Sequence, residues 1–223
     1  MEEPNIVYCL HGNEKCGLEV AKSLPSIPSF LGNKKAFEEN KRFIEADLNR
    51  VFPGKKDGNY EERAAYQLLK KLKDRKYVID IHSSSNKCPL FGIITSPNRE
   101  KIEFAKKLGL KRLVIMPPSF AKKRALIDFV EIGISLEIGP HNRQENVTEI
   151  LGKIQNFVEG QTCLDEMEIF EVFDVIRRSE TDLNLENFDF VERDSVKDYG
   201  FTAVLVNEDS YGDILCLAAR RIS

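Results

Sequence analysis

His11, Glu14, His82 and Glu137 are the residues of this sequence whose types and settings could do chemistry together. Two of the chain's three histidines close short apolar runs, Ile6 to Leu10 and Tyr77 to Ile81, beside acidic groups. Two imidazoles and a carboxylate would give zinc three protein ligands and leave a fourth position open for water, as a catalytic zinc requires. In His11-Gly12-Asn13-Glu14 the two candidate ligands share one tight turn, and Gly12 eases its steric demand so that both side chains could face one ion. Asp80 falls on the same face of its expected strand as His82, where it could accept the second ring N–H of a ligating histidine. Glu137 lies in a third apolar run, Ile132 to Ile138, ahead of Gly139-Pro140. His141 follows in an apparent loop and reads as surface or rim. A histidine at a strand end is also a common hydrogen-bonded structural residue, and spacing alone leaves both readings open.

A second cluster runs from Arg42 to Gly54 and ends in turn chemistry. An ordinary solvated loop accounts for its arginines. That is the commoner case, and the alternative is an anion pocket, because the Arg50 guanidinium can grip a carboxylate with two prongs and Asn49 adds donors.

The elements that must position these residues alternate along the chain. Strands are expected at Ile6–Leu10, Tyr77–Ile81, Leu90–Thr95, Leu113–Met116 and Ile132–Ile138, each a short apolar run rich in β-branched residues. Helices are expected at Gly17–Ser23, Tyr60–Arg75, Arg99–Leu108 and Val147–Glu159. In the second of these Ala64, Leu68, Leu69 and Leu72 share a face, and Glu61 and Glu62 occupy the first turn. Such alternation predicts an α/β sheet with helices on both faces, and open sheets of that kind carry ligand sites at strand C-termini. Past Gly160 the pattern changes to the strand-like runs Glu168–Arg177, Phe201–Asn207 and Asp213–Arg220 with no helices between them. The expected division is therefore a catalytic domain over 1–160 and a β-rich C-terminal region over 161–223, either a small domain capping the site or an edge extension of the sheet.

Composition narrows the function classes. The chain has 223 residues, 42% of them hydrophobic and 31% charged, enough for a sizeable core under an ordinary solvated surface. Its 33 basic and 36 acidic residues give a net charge of −3, which leaves no general electrostatic footprint for nucleic acid. No apolar run approaches the roughly 18 residues of a membrane span, and the first residues lack the basic and apolar regions of a signal peptide. Five scattered cysteines without CxxC spacing read as free thiols, which predicts a cytoplasmic protein.

Taken together, His11-Gly-Asn-Glu14, Arg42 with Asp47-Leu-Asn-Arg50-Val-Phe, Asp80-Ile-His82, Glu137-Ile-Gly-Pro140 and Val206-Asn-Glu-Asp-Ser-Tyr211 resemble the succinylglutamate desuccinylase/aspartoacylase family, relatives of the zinc carboxypeptidases. These pieces stand in the family's order across nearly the whole chain. The resemblance implies a mixed central sheet of the zinc carboxypeptidase type, and one zinc per chain held by His11, Glu14 and His82. It implies that Glu137 is the base that activates water and then the acid to the leaving amine, and that Arg42 helps polarise the scissile carbonyl. It further implies that Asn49 and Arg50 grip a substrate carboxylate while Tyr211, from the C-terminal region, closes on the substrate. The chain departs from the family where aspartoacylases carry another carboxylate-binding arginine. That position is Ile127, with Arg124 the nearest substitute. The implied activity is amide hydrolysis of an N-acyl amino acid or similar small carboxylate. A carboxypeptidase of short peptides shares the same motifs, and a non-catalytic binding protein on the same scaffold is the third alternative. A homo-oligomer is left open.

Overall fold

Side-chain alternation in three central strands sets the architecture. In the computed structural model, which describes residues 3–120, 124–140, 144–161 and 166–223, these strands are β1 (Pro4–Tyr8), β3 (Tyr77–Ser84) and β6 (Ile132–Pro140). Ile6, Ile79, Ile81, Ile134 and Leu136 point to one side, where they pack with Val20 of α1 (Cys16–Ser23), Phe104 of α4 (Arg99–Lys107) and Ile150 and Ile154 of α5 (Gln144–Glu159). Val7 and Val78 point to the other side and meet Ala65, Leu68 and Leu72 of α3 (Tyr60–Leu72). Helices thus cover both faces, and strand alternation puts Asp80, His82, Ser135 and Glu137 on the α3 side.

Ten strands form one mixed sheet among the described residues, in the order β2-β1-β3-β6-β4-β5-β7-β10-β9-β8. Beyond those already given they are β2 (Ser29–Leu31), β4 (Phe91–Ile94), β5 (Arg112–Ile115), β7 (Glu168–Arg177), β8 (Phe190–Val191), β9 (Phe201–Val204) and β10 (Ile214–Arg221). Pairing is parallel from β2 through β6, antiparallel between β6 and β4, and parallel again through β5 to β7. The remaining strands pair antiparallel.

Two differences from the sequence expectation have clear physical causes. The first strand ends at Tyr8 rather than Leu10, because Cys9 adopts φ +54° and turns the chain out of the ladder. Positive φ at Leu205 and Asn207 likewise follows β9, which stops at Val204. Of the two expectations for the region past residue 160, the sheet follows the edge extension: β7 pairs directly with β5, and Phe91, Ile93 and Val114 share one apolar cluster with Phe170, Val172, Val204 and Leu217. The short β2 and α2 (Lys34–Glu38) escape the sequence reading altogether. Cys9, Cys16, Cys88 and Cys216 are buried free thiols, while Cys163 and His141 lie outside the described residues. No described helix is long and apolar enough to cross a membrane.

Candidate metal centre and catalytic cavity

The turn after β1 carries His11 and Glu14 to the sheet's C-terminal edge. Gly12 is required there by close packing, since a Cβ at this position would sit 2.1 Å from the backbone carbon of Ala36. The Gly12 N–H donates to the Arg42 carbonyl at 3.1 Å, which ties the turn to the next segment of the site. On the neighbouring strand His82 lies within β3, and its register partner on β6 is Glu137, so these side chains stand on adjacent parallel strands facing one way.

His11, Glu14 and His82 are all buried and converge, with one ligand atom from each within 4.8 Å of the others. His11 Nδ1 lies 2.6 Å from Glu14 Oε1 and His82 Nδ1 lies 3.0 Å from Glu14 Oε2. The opposite ring nitrogens face other carboxylates: His11 Nε2 is 3.1 Å from Asp47 Oδ1, and His82 Nε2 is 2.8 Å from Asp80 Oδ2. An imidazole that gives its Nε2–H to a carboxylate is held with Nδ1 as the electron-pair donor. This donor set fits a divalent metal ion, and the three residues could hold one.

Charge follows the same geometry. Burial would lower the His82 pKa, yet Asp80 and Glu14 together hold it well above the ordinary range. For His11, burial is likewise outweighed by Glu14 and Asp47. Burial works against the Glu14 carboxylate, but both histidines hold its pKa well below the usual value. Glu137 differs. Burial first, then the neighbouring charges of Glu14 and Glu208, raise its pKa to about 7 although His82 opposes them.

A second chain segment arrives through α3. The buried Glu61 carboxylate accepts the backbone N–H groups of Ile44, Glu45 and Ala46 at 2.7, 3.1 and 3.1 Å, and the Asn33 amide at 3.1 Å. That anchor delivers Asp47, whose side chain caps the short 3-10 turn Leu48–Arg50 through the Asn49 N–H at 2.9 Å. Arg42 bridges Glu14 and Asp47 at 3.4 and 3.2 Å. Asn49 Oδ1 accepts the Leu126 N–H at 2.9 Å, and its Nδ2 lies 3.4 Å from His82 Nε2, the nitrogen that gives its hydrogen to Asp80.

These groups line a cavity of about 320 Å³, a volume suited to a small molecule. His11, Glu14, His82, Glu137, Arg42, Asn49, Arg50 and Tyr211 all face it. Tyr211 comes from the connection between β9 and β10, and its hydroxyl pKa is pushed up to about 12 by burial and by Glu137 and Glu208, against Arg50 and Arg42. Arg124 is exposed and does not line this cavity. Ile127 does line it.

The structure adds residues to which the sequence reading gave no role. Asp47 orients His11, and Glu208 enters the cavity with its Oε2 accepting the Ser85 N–H at 3.0 Å and its buried Oε1 unpartnered. Both stand inside quoted motif stretches, but nothing in a carboxylate's neighbours along the chain shows that its partner is 123 positions away.

The chain is 28% identical over 160 residues to a probable aspartoacylase from Acaryochloris marina, a match covering 60% of this chain and 54% of that one. It therefore spans about half the length of that relative. The fold superposes on the crystal structure of murine aminoacylase 3 with a TM-score of 0.80 at 19% identity, covering 99% of this chain and 96% of that one. A succinylglutamate desuccinylase from Chromobacterium violaceum superposes with a TM-score of 0.73 at 14% identity, covering 100% and 85%. Residues 6–159 match the model of the succinylglutamate desuccinylase/aspartoacylase catalytic domain, and the chain belongs to that family.

Proposed function

We propose that this chain is a zinc-dependent amidohydrolase that cleaves the amide bond of an N-acyl amino acid or a similar small carboxylate. The observation that carries the reading is the shared cavity: a convergent His11–Glu14–His82 donor set beside a carboxyl group, Glu137, whose pKa sits near neutrality. A zinc ion bound by those three side chains would act as a Lewis acid toward water and the scissile carbonyl.

The remaining roles belong to the chain. Glu137 takes a proton from the attacking water and returns it to the leaving amine, a task suited to a carboxyl group that titrates near the working pH. Arg42, fixed by Glu14 and Asp47, supplies positive charge where the carbonyl oxygen becomes negative. Arg50, with Asn49 beside it, takes the substrate carboxylate and so fixes the amide relative to Glu137. Tyr211 and Glu208 line the cavity on the C-terminal side, and its volume of about 320 Å³ favours small acids over peptides. The test is hydrolysis of an N-acyl amino acid panel by wild type and Glu137→Gln, each with and without a metal chelator. Activity should be lost with chelator and fall by about 10²–10⁴ in the variant. Chelator-insensitive turnover, or full activity in Glu137→Gln, would sink the assignment.

A further inference from the structure

Asp128 is a half-buried carboxylate that does not line the cavity, and both of its oxygens are engaged. Oδ2 accepts the Ala125 N–H at 3.0 Å and Oδ1 accepts the hydroxyl of the buried Thr95. The side chain thereby closes the 3-10 turn Leu126–Asp128 and ties it to the chain just past β4. The same turn reaches the Asn49–Arg50 segment through two bonds. The Phe52 N–H donates to the Arg124 carbonyl at 3.3 Å, and the Leu126 N–H donates to Asn49 Oδ1 at 2.9 Å. The second bond decides which way the Asn49 amide faces. Its Nδ2 lies 3.4 Å from His82 Nε2, but that nitrogen gives its hydrogen to Asp80, so two donors face each other. Left alone, the amide would turn its oxygen to His82 and compete with Asp80 for that hydrogen. The Leu126 N–H holds the oxygen and leaves the NH2 end free for an anionic ligand.

We infer that Asp128 is a positioning residue for substrate binding: by closing its turn it aims the Leu126 N–H, which sets the Asn49 amide with its NH2 toward the substrate carboxylate. The identity of that ligand rests on the amidohydrolase reading, whereas the relay from Asp128 to Asn49 does not. Asp128 acts here through geometry rather than charge. An asparagine in its place can accept the Ala125 N–H with its oxygen and donate its NH2 to the Thr95 hydroxyl, which accepts as well as donates. An alanine can do neither. The competing role is that of a counter-charge, because burial lowers the Lys101 pKa and Asp128 partly offsets it. For that purpose asparagine is no better than alanine.

The test compares wild type with Asp128→Ala, Asp128→Asn, Asn49→Ala and the double variant that combines Asp128→Ala with Asn49→Ala. In one arm kcat and KM of the zinc-loaded proteins are measured on the N-acyl amino acid panel. In the other, exchange of the Leu126 amide hydrogen is followed by NMR, which needs neither metal nor turnover. Asp128→Ala should raise KM by about fivefold or more with a smaller change in kcat, while Asp128→Asn stays within about twofold of wild type. Once Asn49 is alanine, Asp128→Ala should raise KM no further. Leu126 exchange should quicken by about tenfold in Asp128→Ala and keep its wild-type rate in Asp128→Asn. If Asp128→Ala does not fold, Leu126→Pro removes the N–H itself and should give the same rise in KM. Proline suits that first position of the turn, which follows an extended Ala125 at φ −79° and ψ 154°. Full additivity with Asn49→Ala, equal damage from Asp128→Asn and Asp128→Ala, or an unchanged KM or Leu126 exchange in Asp128→Ala overturns the inference. If wild type hydrolyses none of the panel, the amidohydrolase reading falls and the exchange arm alone decides the relay: quickened exchange in Asp128→Ala, restored in Asp128→Asn, upholds it, and unchanged exchange removes it.

Discussion

Asp47 and Asp80 do for the two histidines what neither imidazole can do for itself, fixing which nitrogen is offered and in which direction. Replacing Asp80 with Asn keeps the volume but weakens that hold, so zinc affinity measured by competition with a chelator should fall by about 10–100-fold. An unchanged affinity would remove Asp80 from the site's design. Arg50→Gln should raise KM by about tenfold or more with a smaller change in kcat, because a carboxylate grip made equally in ground and transition states acts on binding. Glu137 must be ionised to accept a proton, and burial raises its pKa to about 7. The kcat/KM profile should therefore rise with pH through an acid limb whose midpoint lies at or below about 7, since a bound cation would favour the ionised form. A rate that is flat from pH 5 to 8 contradicts this role. Much of the site is legible in the sequence at this scale. His11, Glu14, His82 and Glu137 stand out because polar residues at the ends of apolar runs are unusual. Glu208 and Asp47 do not, because their meaning depends on partners brought together only by folding.

Among the elements, α3 shows how a helix face can be read correctly while its most informative residue is missed. Its period predicts a stripe through Ala64, Leu68, Leu69 and Leu72; Leu68 and Leu72 are buried, Ala64 and Leu69 pack partly buried against the same cluster, and Glu61 and Ala65 complete the buried side. A buried glutamate in a first turn looks like ordinary helix-dipole chemistry until three backbone N–H groups of a distant loop are found on it. Glu61→Ala should destabilise the protein by about 3 kcal/mol in denaturant titration, as those donors lose their acceptor. It should also raise KM, since the loop it anchors leads to Asn49 and Arg50. A variant of wild-type stability would show that water replaces the carboxylate at no cost. The helix start is better signalled, with the Asn59–Glu62 capping box readable directly. The three-residue β2 and five-residue α2 are too short for any period to show, although α2 supplies the backbone against which Gly12 packs.

At the scale of the molecule, the change of pattern past Gly160 is real but marks a change of connection rather than of sheet. Antiparallel strands joined by loops follow parallel strands joined by helices, and local periodicity carries no information on whether two such regions share a ladder. Because β7 pairs with β5 and the apolar cluster around Phe91 and Val114 is completed by Phe170, Val172 and Leu217, a fragment ending at residue 160 should not fold. Circular dichroism and size exclusion on residues 1–160 check this, and a cooperative, monomeric fragment would restore a true domain boundary. The same continuity bears on the cavity. β10 stands five places from β3 in the sheet order, roughly 24 Å away if the sheet were flat. Yet Glu208, on the connection into β10, touches the Ser85 backbone just past β3. A coiled sheet shortens that reach, and the register shifts between Ile214 and Cys216 and between Ala218 and Ala219 fall where bulges sharpen coiling. The sheet then works like a caliper, with one jaw at the ends of β1, β3 and β6 and the other at Glu208 to Tyr211. The gap between the jaws depends on strand curvature together with the connection from Leu205 to Asp213, so substitutions in β7 and β10 away from the cavity wall should alter the spacing of its two sides.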